Sequence, residues 1–514
     1  MKKMIYNLYR KFDKCSVLAT IVNYLYIVIL PRIKGNAQCK YNDKKTYKVD
    51  SNNIKKRIKD IKIAFICDDM TYKSFKDECT SIFLTPSNWL DIMQEFKPDI
   101  FFCESTWNGI NKYKDCWRGR IYKNKYVKFN NRKVLFDILD YCRKTNVKTV
   151  FWNKEDPIYF DNLKNNFSDT ALHFDYIFTT AKECVKEYKK LGHKNVYTLM
   201  FGFNEKIFNP INSNNKINKA IFAGSWFNEH LERCNDMKNI FKMVQEKGIP
   251  LEIYDRNFGT SNYLKMFPDK YKEILHKAVP FEKLQEIYKE SQFAININTI
   301  KNSETMFARR VFELMACNTY IISNYSKGMK KIFGKNVCFL DEDFDLEKIK
   351  EICEENVQYV MDNHTNRKRL KSIYDIVGIE YIDESDQIAF FYDNWNIEDA
   401  KRHFNCMDYK NRKFYRRDNN EIFDIDNNKV ELNEVRKSIN GCYAVSLSDG
   451  YNGRVDFEKA ISHMSYLDES IGIKFGKNKY TIEKSLDYHN SLFKGKKFYN
   501  IISNNLDNYN IYTI

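Results

Sequence analysis

From Ile61 onward the chain alternates apolar, β-branched or aromatic runs with helical periodicities, halts once at an Asn-rich stretch, and then repeats the alternation. This doubled pattern limits the fold more than any other feature. IAFIC (63–67), DIFFCES (99–105), VKTVFW (147–152), DYIFTT (175–180) and NVYTLMF (195–201) read as buried strands. Helices are predicted between them at 87–96, 132–145 and 181–190, with Val134, Leu135, Ile138, Leu139 and Cys142 on one face of the second. After INSNNKINK (211–219), read as a linker, come the strands KAIFAGS, PLEIYDR, FAININT and TYIIS. A helix buries Met237, Ile240, Phe241 and Val244, with Gly248 as its cap. Strands separated by helices require right-handed crossovers and a parallel sheet. The sequence therefore predicts an α/β protein with two tandem Rossmann-like domains, residues 61–210 and 219–378, and a ligand cleft between the carboxyl ends of their sheets.

Within the second unit, Glu304–Ser323 (ETMFARRVFELMACNTYIIS) concentrates the chemistry. Val311, Leu314 and Met315 give a short helix its apolar face, while Arg309, Arg310 and Glu313 share a flank at spacings of three and four. A guanidinium matches phosphate bidentately, and a carboxylate accepts from a ribose hydroxyl pair. An arbitrary Arg/Glu pair at this spacing is more often a surface ion pair. Other strand ends add to the set. Glu104 ends one strand, and WNKEDP places Glu155 and Asp156 after the next, where a general base would project into the cleft. The competing reading of Asp156 is a turn residue before Pro157. In AGSW, Gly224 and Ser225 sit where a strand turns toward a helix, a place for phosphate. Arg233 and Arg256 are further phosphate candidates.

Length and charge bound the rest. A chain of 514 residues can bury two or three cores. Of the net charge of +16, +11 belongs to residues 1–60. That leader contains a charge-free apolar run, Cys15–Leu30, flanked by Lys11, Lys14, Arg32 and Lys34. At sixteen residues the run is short for a spanning helix, and an interfacial helix at an anionic membrane surface is weighed equally against a helix packed on the body. No basic stripe with interleaved aromatics follows, which argues against nucleic acid. Fourteen cysteines without a CxxC pair or a secretory cleavage pattern predict free thiols in a reducing cytosol.

FAGSWFNEHLERC, YDRNFG, FARRVFELMACNTYIIS and HTNRKR resemble the C-terminal half of the CgeB-like branch of GT-B glycosyltransferases. DDMTYKSF, ESTWNG, FWNKEDP and FDYIFTT resemble the N-terminal half, so the likeness covers about residues 61–375. The resemblance implies a GT-B fold, a nucleotide-sugar donor on the second domain with Glu313 on the ribose and Arg309 or Arg310 at the diphosphate, and no bound metal or other cofactor. Arginines and backbone dipoles would then help the diphosphate leave. Two departures stand out. Retaining relatives carry two glutamates eight apart, but here Thr305 occupies the first position and Glu304 lies nine before Glu313. Asn318 replaces a usual glycine and tolerates a left-handed turn.

Residues 379–514 are expected to be a small C-terminal α+β appendage. Within it DNNEIFDIDNNKVELNEVRK reads as a charged connection, and YAVSLSDGYNG weakly resembles a GT-A fragment of which only Asp449 remains from an acidic pair. The expected function is transfer of a sugar to a cell-envelope or surface glycan or glycoprotein, in the cytoplasm or at the inner face of the plasma membrane. The alternative is an inactive GT-B-shaped binding or spore-coat structural protein. A sugar-nucleotide epimerase would need acidic and basic groups around the sugar ring, and none is identified.

Overall fold

The computed structural model describes residues 40–46 and 55–514, apart from 127–129, 384–386, 408, 420, 449–450, 452–455, 476–478, 486 and 505–508. The leader run Cys15–Leu30 and Asp449 lie outside the described residues. No helix among the described residues is long and apolar enough to cross a membrane. No disulfide is formed among the described cysteines.

The first alternation folds as β1 (Lys62–Ile66), α1 (Asp69–Phe75), β2 (Thr80–Phe83), α2 (Trp89–Phe96), β3 (Ile100–Glu104), α3 (Lys133–Thr145), β4 (Lys148–Asn153), α4 (Phe167–Ala171), β5 (Tyr176–Thr179), α5 (Lys182–Lys190) and β6 (Val196–Thr198). Its sheet is wholly parallel, in the order β2-β1-β3-β4-β5-β6. The predicted face of α3 is the buried one, because those side chains close over Phe101 and Phe151.

The second alternation gives β7 (Ile217–Gly224), α6 (Leu231–Glu246), β8 (Leu251–Asp255), β9 (Leu275–Lys277), α7 (Leu284–Glu290), β10 (Ser291–Asn296), α8 (Arg310–Ala316), β11 (Tyr320–Ser323), α9 (Lys327–Phe333), β12 (Cys338–Phe339), α10 (Ile349–Asn363) and α11 (Asn366–Val377). This sheet is also parallel, ordered β9-β8-β7-β10-β11-β12. β7 begins inside the stretch read as a linker. Gly248 follows α6 at φ +70° and Asn318 follows α8 at φ +58°, left-handed turns that end both helices.

One helix ties the units together. α11 follows the second domain in sequence, yet Leu370, Ile373, Tyr374 and Val377 are buried in the core of the first. The chain thus crosses between domains twice, and the two crossings touch. Phe203 N–H donates to His364 O at 3.2 Å, Asn366 N–H donates to Phe203 O at 2.9 Å, and a Cβ on Gly202 would meet Asn366 Oδ1 at 2.8 Å. Two parallel doubly wound sheets, facing each other and joined by a returning C-terminal helix, constitute a GT-B fold.

The accessory region is an α+β unit built on one sheet among the described residues. Nine strands form one mixed sheet: β13 (Ile388–Asp393), β14 (Arg412–Asp418), β15 (Glu421–Phe423), β16 (Lys429–Val430), β17 (Tyr443–Ser448), β18 (Ile471–Lys474), β19 (Ile482–Ser485), β20 (Leu492–Lys494) and β21 (Tyr509–Thr513). The stretch read as a charged connection supplies β15, β16 and a helix at Leu432–Ile439. Its polar residues misled because β15 and β16 lie at the sheet's edge, with few inward positions to bury. One face of this sheet shares a continuous core with α8 and α10, where Phe312, Val357 and Val360 join Phe390, Val445 and Leu467.

Because α11 is packed into the first domain, Leu370→Ala is expected to cost about 2–5 kcal/mol in urea unfolding, as a buried large-to-small change does. Fluorescence of the buried Trp89 and Trp117 reports that domain. A loss under about 0.5 kcal/mol would place α11 outside its core.

Candidate functional site

The carboxyl ends of β1 and β3 face those of β7, β8 and β10 across a cavity of about 1140 Å³. β1 and β3 in the first sheet, and β7 and β10 in the second, flank the point where strand order reverses, the place where an open α/β sheet leaves a crevice. The first-domain wall includes Asp68, Asp69 and Asn108; the second includes Gly224, Arg256, Arg309, Arg310 and Glu313.

Arg309, Arg310 and Glu313 come together as their spacing predicts. Val311, Phe312, Leu314 and Met315 are buried, which aims the opposite flank at the cavity. Arg309 Nη2 lies 2.8 Å from Glu313 Oε1, and that carboxylate is only 5% exposed. The Arg309 guanidinium also lies over the Phe281 ring, 5.2 Å from its centre, and Arg310 lies 5.5 Å from that of Phe222. Gly224 serves this stacking, since a Cβ there would meet the Phe222 ring at 2.6 Å. Neither Arg310 nor Arg256 has a carboxylate within ion-pair distance among the described residues, and Asp255 instead accepts from the backbone N–H of Asn257. Arg233 stands behind them, donating to the carbonyl of Ser225 at 3.0 Å. Burial, and then the charges of Arg310 and Arg256, hold Arg233 down to about 10. Burial and Arg310 also lower Arg256. Three guanidiniums therefore crowd one another with no carboxylate at ion-pair distance among the described residues, Asp255 acting on Arg256 only from further off, and that arrangement favours a polyanionic ligand.

Ser225 departs from expectation. It is buried off the cavity wall, and α6 starts only at Leu231, so no tight strand-to-helix phosphate turn forms at Gly224–Ser225.

The three carboxylates expected on the first wall separate. Glu104 is fully buried, accepting from Asp68 N–H at 2.6 Å and facing Lys154 Nζ at 2.8 Å. Burial raises its pKa, and it braces the wall from beneath. Asp156 is also fully buried, accepting from Asn153 Nδ2 at 2.8 Å, Thr179 Oγ1 at 2.6 Å and Tyr188 OH at 3.2 Å. It ties β4 to β5 and α5 and does not project into the cleft, because those three partners hold its carboxylate inside the fold. Glu155 does face the cleft. It lines a side chamber of about 260 Å³ with Lys154, Trp152 and Asn366, and Met70 and Arg309 are common to this chamber and the main cavity. Burial raises its pKa, opposed by a hydrogen bond from Trp107 and by the charge of Lys154.

Sequence reasoning missed Asp68, Asp69 and Lys154 as wall residues. Asp68 clamps the loop after β3, with Oδ1 accepting from Asn108 N–H at 3.0 Å and Gly109 N–H at 2.9 Å, and Oδ2 from Trp107 N–H at 2.9 Å. Asp69 is held by Lys73 at 3.2 Å, and Lys73 reaches Glu282 of the second domain at 2.7 Å. The signal was present: the pair stands one residue past the end of β1, at a strand end in the crevice.

Burial pushes Asp156 up to about 7, so its protonated form is the one the fold favours. Its contribution to stability is complete below the unfolded carboxylate range and is lost as pH rises through about 7. Urea unfolding at acidic and neutral pH should thus give wild type a larger fall in stability toward neutral pH than Asp156→Asn. An identical fall in both would mean that Asp156 is not the group responsible.

The family described as "Glycosyl transferase-like" matches residues 238–375. Spore protein CgeB of Bacillus subtilis (strain 168) is 18% identical over 261 residues, covering 44% of this chain and 79% of that protein. Among solved structures, TarM aligns over 56% of this chain and 57% of its own at 9% identity and a TM-score of 0.36, so the chain spans little more than half of it. A glycosyltransferase from Rickettsia africae ESF-5 aligns over 62% and 98% at 10% identity and a TM-score of 0.40. The chain is thus similar to a glycosyl transferase-like family over residues 238–375 and to CgeB at low identity, and its two facing parallel sheets with a returning helix give it a GT-B fold.

Proposed function

We propose that the protein transfers a glycosyl unit from a nucleotide-sugar donor to a hydroxyl of a cell-envelope or surface glycan or glycoprotein, without a resident metal. The observation that carries this reading is the crowding of Arg233, Arg256 and Arg310 with no carboxylate partner among the described residues. Arg310 and Arg256 hold the donor diphosphate, and Arg233 adds charge from behind. Glu313, fixed by Arg309, accepts from the ribose hydroxyls with its remaining oxygen. As the bond between the anomeric carbon and the phosphate oxygen breaks, charge gathers on the leaving diphosphate, where fixed guanidiniums stabilise it most.

The acceptor enters from the first wall. Glu155 replaces Asp156 as the base: it borders both the side chamber and Arg309, and its raised pKa makes it a stronger base than an ordinary carboxylate. The acceptor oxygen bonds to the anomeric carbon, its proton passes to Glu155, and the nucleoside diphosphate departs. The reading as an inactive shell is not favoured, since polar groups line both walls. The basic leader would bring this cleft to the anionic inner face of the plasma membrane from the cytoplasm.

Calorimetric titration with UDP, GDP, CDP and dTDP, followed by transfer assays with the sugar derivatives of whichever binds, tests the roles separately. Arg310→Ala should weaken nucleoside diphosphate binding roughly 10- to 100-fold, the worth of charge-assisted hydrogen bonds. Glu155→Gln should leave that binding near wild type and cut turnover by about 10²-fold or more. Full turnover in Glu155→Gln would remove it as the base.

A further inference from the structure

The position where a first glutamate would stand, eight residues before Glu313, belongs to Thr305. Its hydroxyl makes a contact between the domains. Helix α5 of the first domain starts after Ala181, a residue with no side chain to satisfy the first-turn N–H groups. The N–H of Lys182 instead donates to Thr305 Oγ1 at 2.8 Å, and that hydroxyl donates to the carbonyl of Thr180 at 2.7 Å. Ser303 Oγ reaches the Glu183 carboxylate, in the same helical turn, at 3.0 Å. The second domain thus caps a helix of the first. A carboxylate at position 305 could accept from Lys182 but could not donate to Thr180, so the threonine is the side chain this contact needs.

The cap is linked to the arginines through a braced loop. Within residues 297–309, Asn298 Oδ1 accepts from Ala308 N–H at 3.0 Å and Ser303 Oγ accepts from Met306 N–H at 3.0 Å. Asn298 N–H in turn donates to Asn324 Oδ1, at the end of β11, at 2.8 Å. Only Met306, Phe307 and Ala308 separate Thr305 from Arg309, the residue from which α8 starts. On the far side, Asp156 accepts from the Thr179 hydroxyl just before the capped turn, so the docking platform is itself anchored.

We propose that Thr305 is a positioning residue. By capping α5 across the domain boundary it fixes the 297–309 loop, and so sets Arg309 and Arg310 against the cleft. Only the docked form presents the complete anion site. This inference rests on the donor-site reading above.

The test compares wild type, Thr305→Ser and Thr305→Val in calorimetric titrations with UDP, GDP, CDP and dTDP, alongside hydrogen exchange across 181–185 and the thermal midpoint. Thr305→Val should bind the best-bound diphosphate roughly fivefold more weakly, the scale of one lost helix cap, and its first-turn amides should exchange faster. Thr305→Ser should restore both. Faster exchange with unchanged affinity would overturn the proposal, leaving a contact that is structural only. Unchanged exchange would mean that the cap does not operate. If wild type takes none of the four diphosphates while exchange responds as stated, the donor-site reading fails and this proposal with it. Should Thr305→Val not fold, Ser303→Ala carries the same expectations at smaller size.

Discussion

Unbalanced positive charge at one end of one sheet is what the rest of this molecule is arranged around. A guanidinium keeps its proton even when its surroundings disfavour the charge, so Arg233 and Arg256, pressed by the charge of Arg310, cannot relieve the repulsion by neutralising. Holding them together costs folding energy. The structure limits that cost by laying Arg310 against Phe222 and by leaving Arg256 open to the cavity. Arg309 is treated differently, for Glu313 cancels its charge, and it lines both the main cavity and the side chamber.

The scaffold keeps the two walls in register through contacts that cross the domain boundary. At the double crossing, Arg369 donates from Nε to Met200 O at 3.0 Å and from Nη2 to Phe201 O at 2.9 Å, satisfying carbonyls just past β6 with a side chain of α11. Nearer the cavity, Lys73 and Thr305 each join one wall to the other. The surface pair made by Lys73 is worth little alone in water. The threonine contact satisfies a helix-end N–H that would otherwise need water, so it contributes more. At position 305 a single hydroxyl both accepts from and donates to the other domain.

Much of this was legible from the residues. Period-3.6 faces on α3 and α6 and the Arg/Glu flank of α8 are local patterns, and each appears where the spacing puts it. Short elements such as β2, β9 and β12 were not legible, since two to four residues carry too little periodicity. The accessory sheet was underestimated because its edge strands are polar, while its inner strands share their core with another domain. The carboxylates teach a sharper lesson. Glu104, Glu155 and Asp156 all follow or end strands facing the crevice, but only Glu155 reaches it. Which of them is covered depends on where Thr179, Tyr188 and Lys154 place their polar atoms, and that is not encoded in the spacing of the strand ends.

The most direct test of the central claim is a calorimetric comparison of a nucleoside diphosphate with its own nucleoside on the full chain, so that only the diphosphate differs. If the crowded arginines form a diphosphate site, the diphosphate should bind about two orders of magnitude more tightly, and the advantage should shrink as salt screens it. Equal affinity for the two, or no binding of either, would contradict the account.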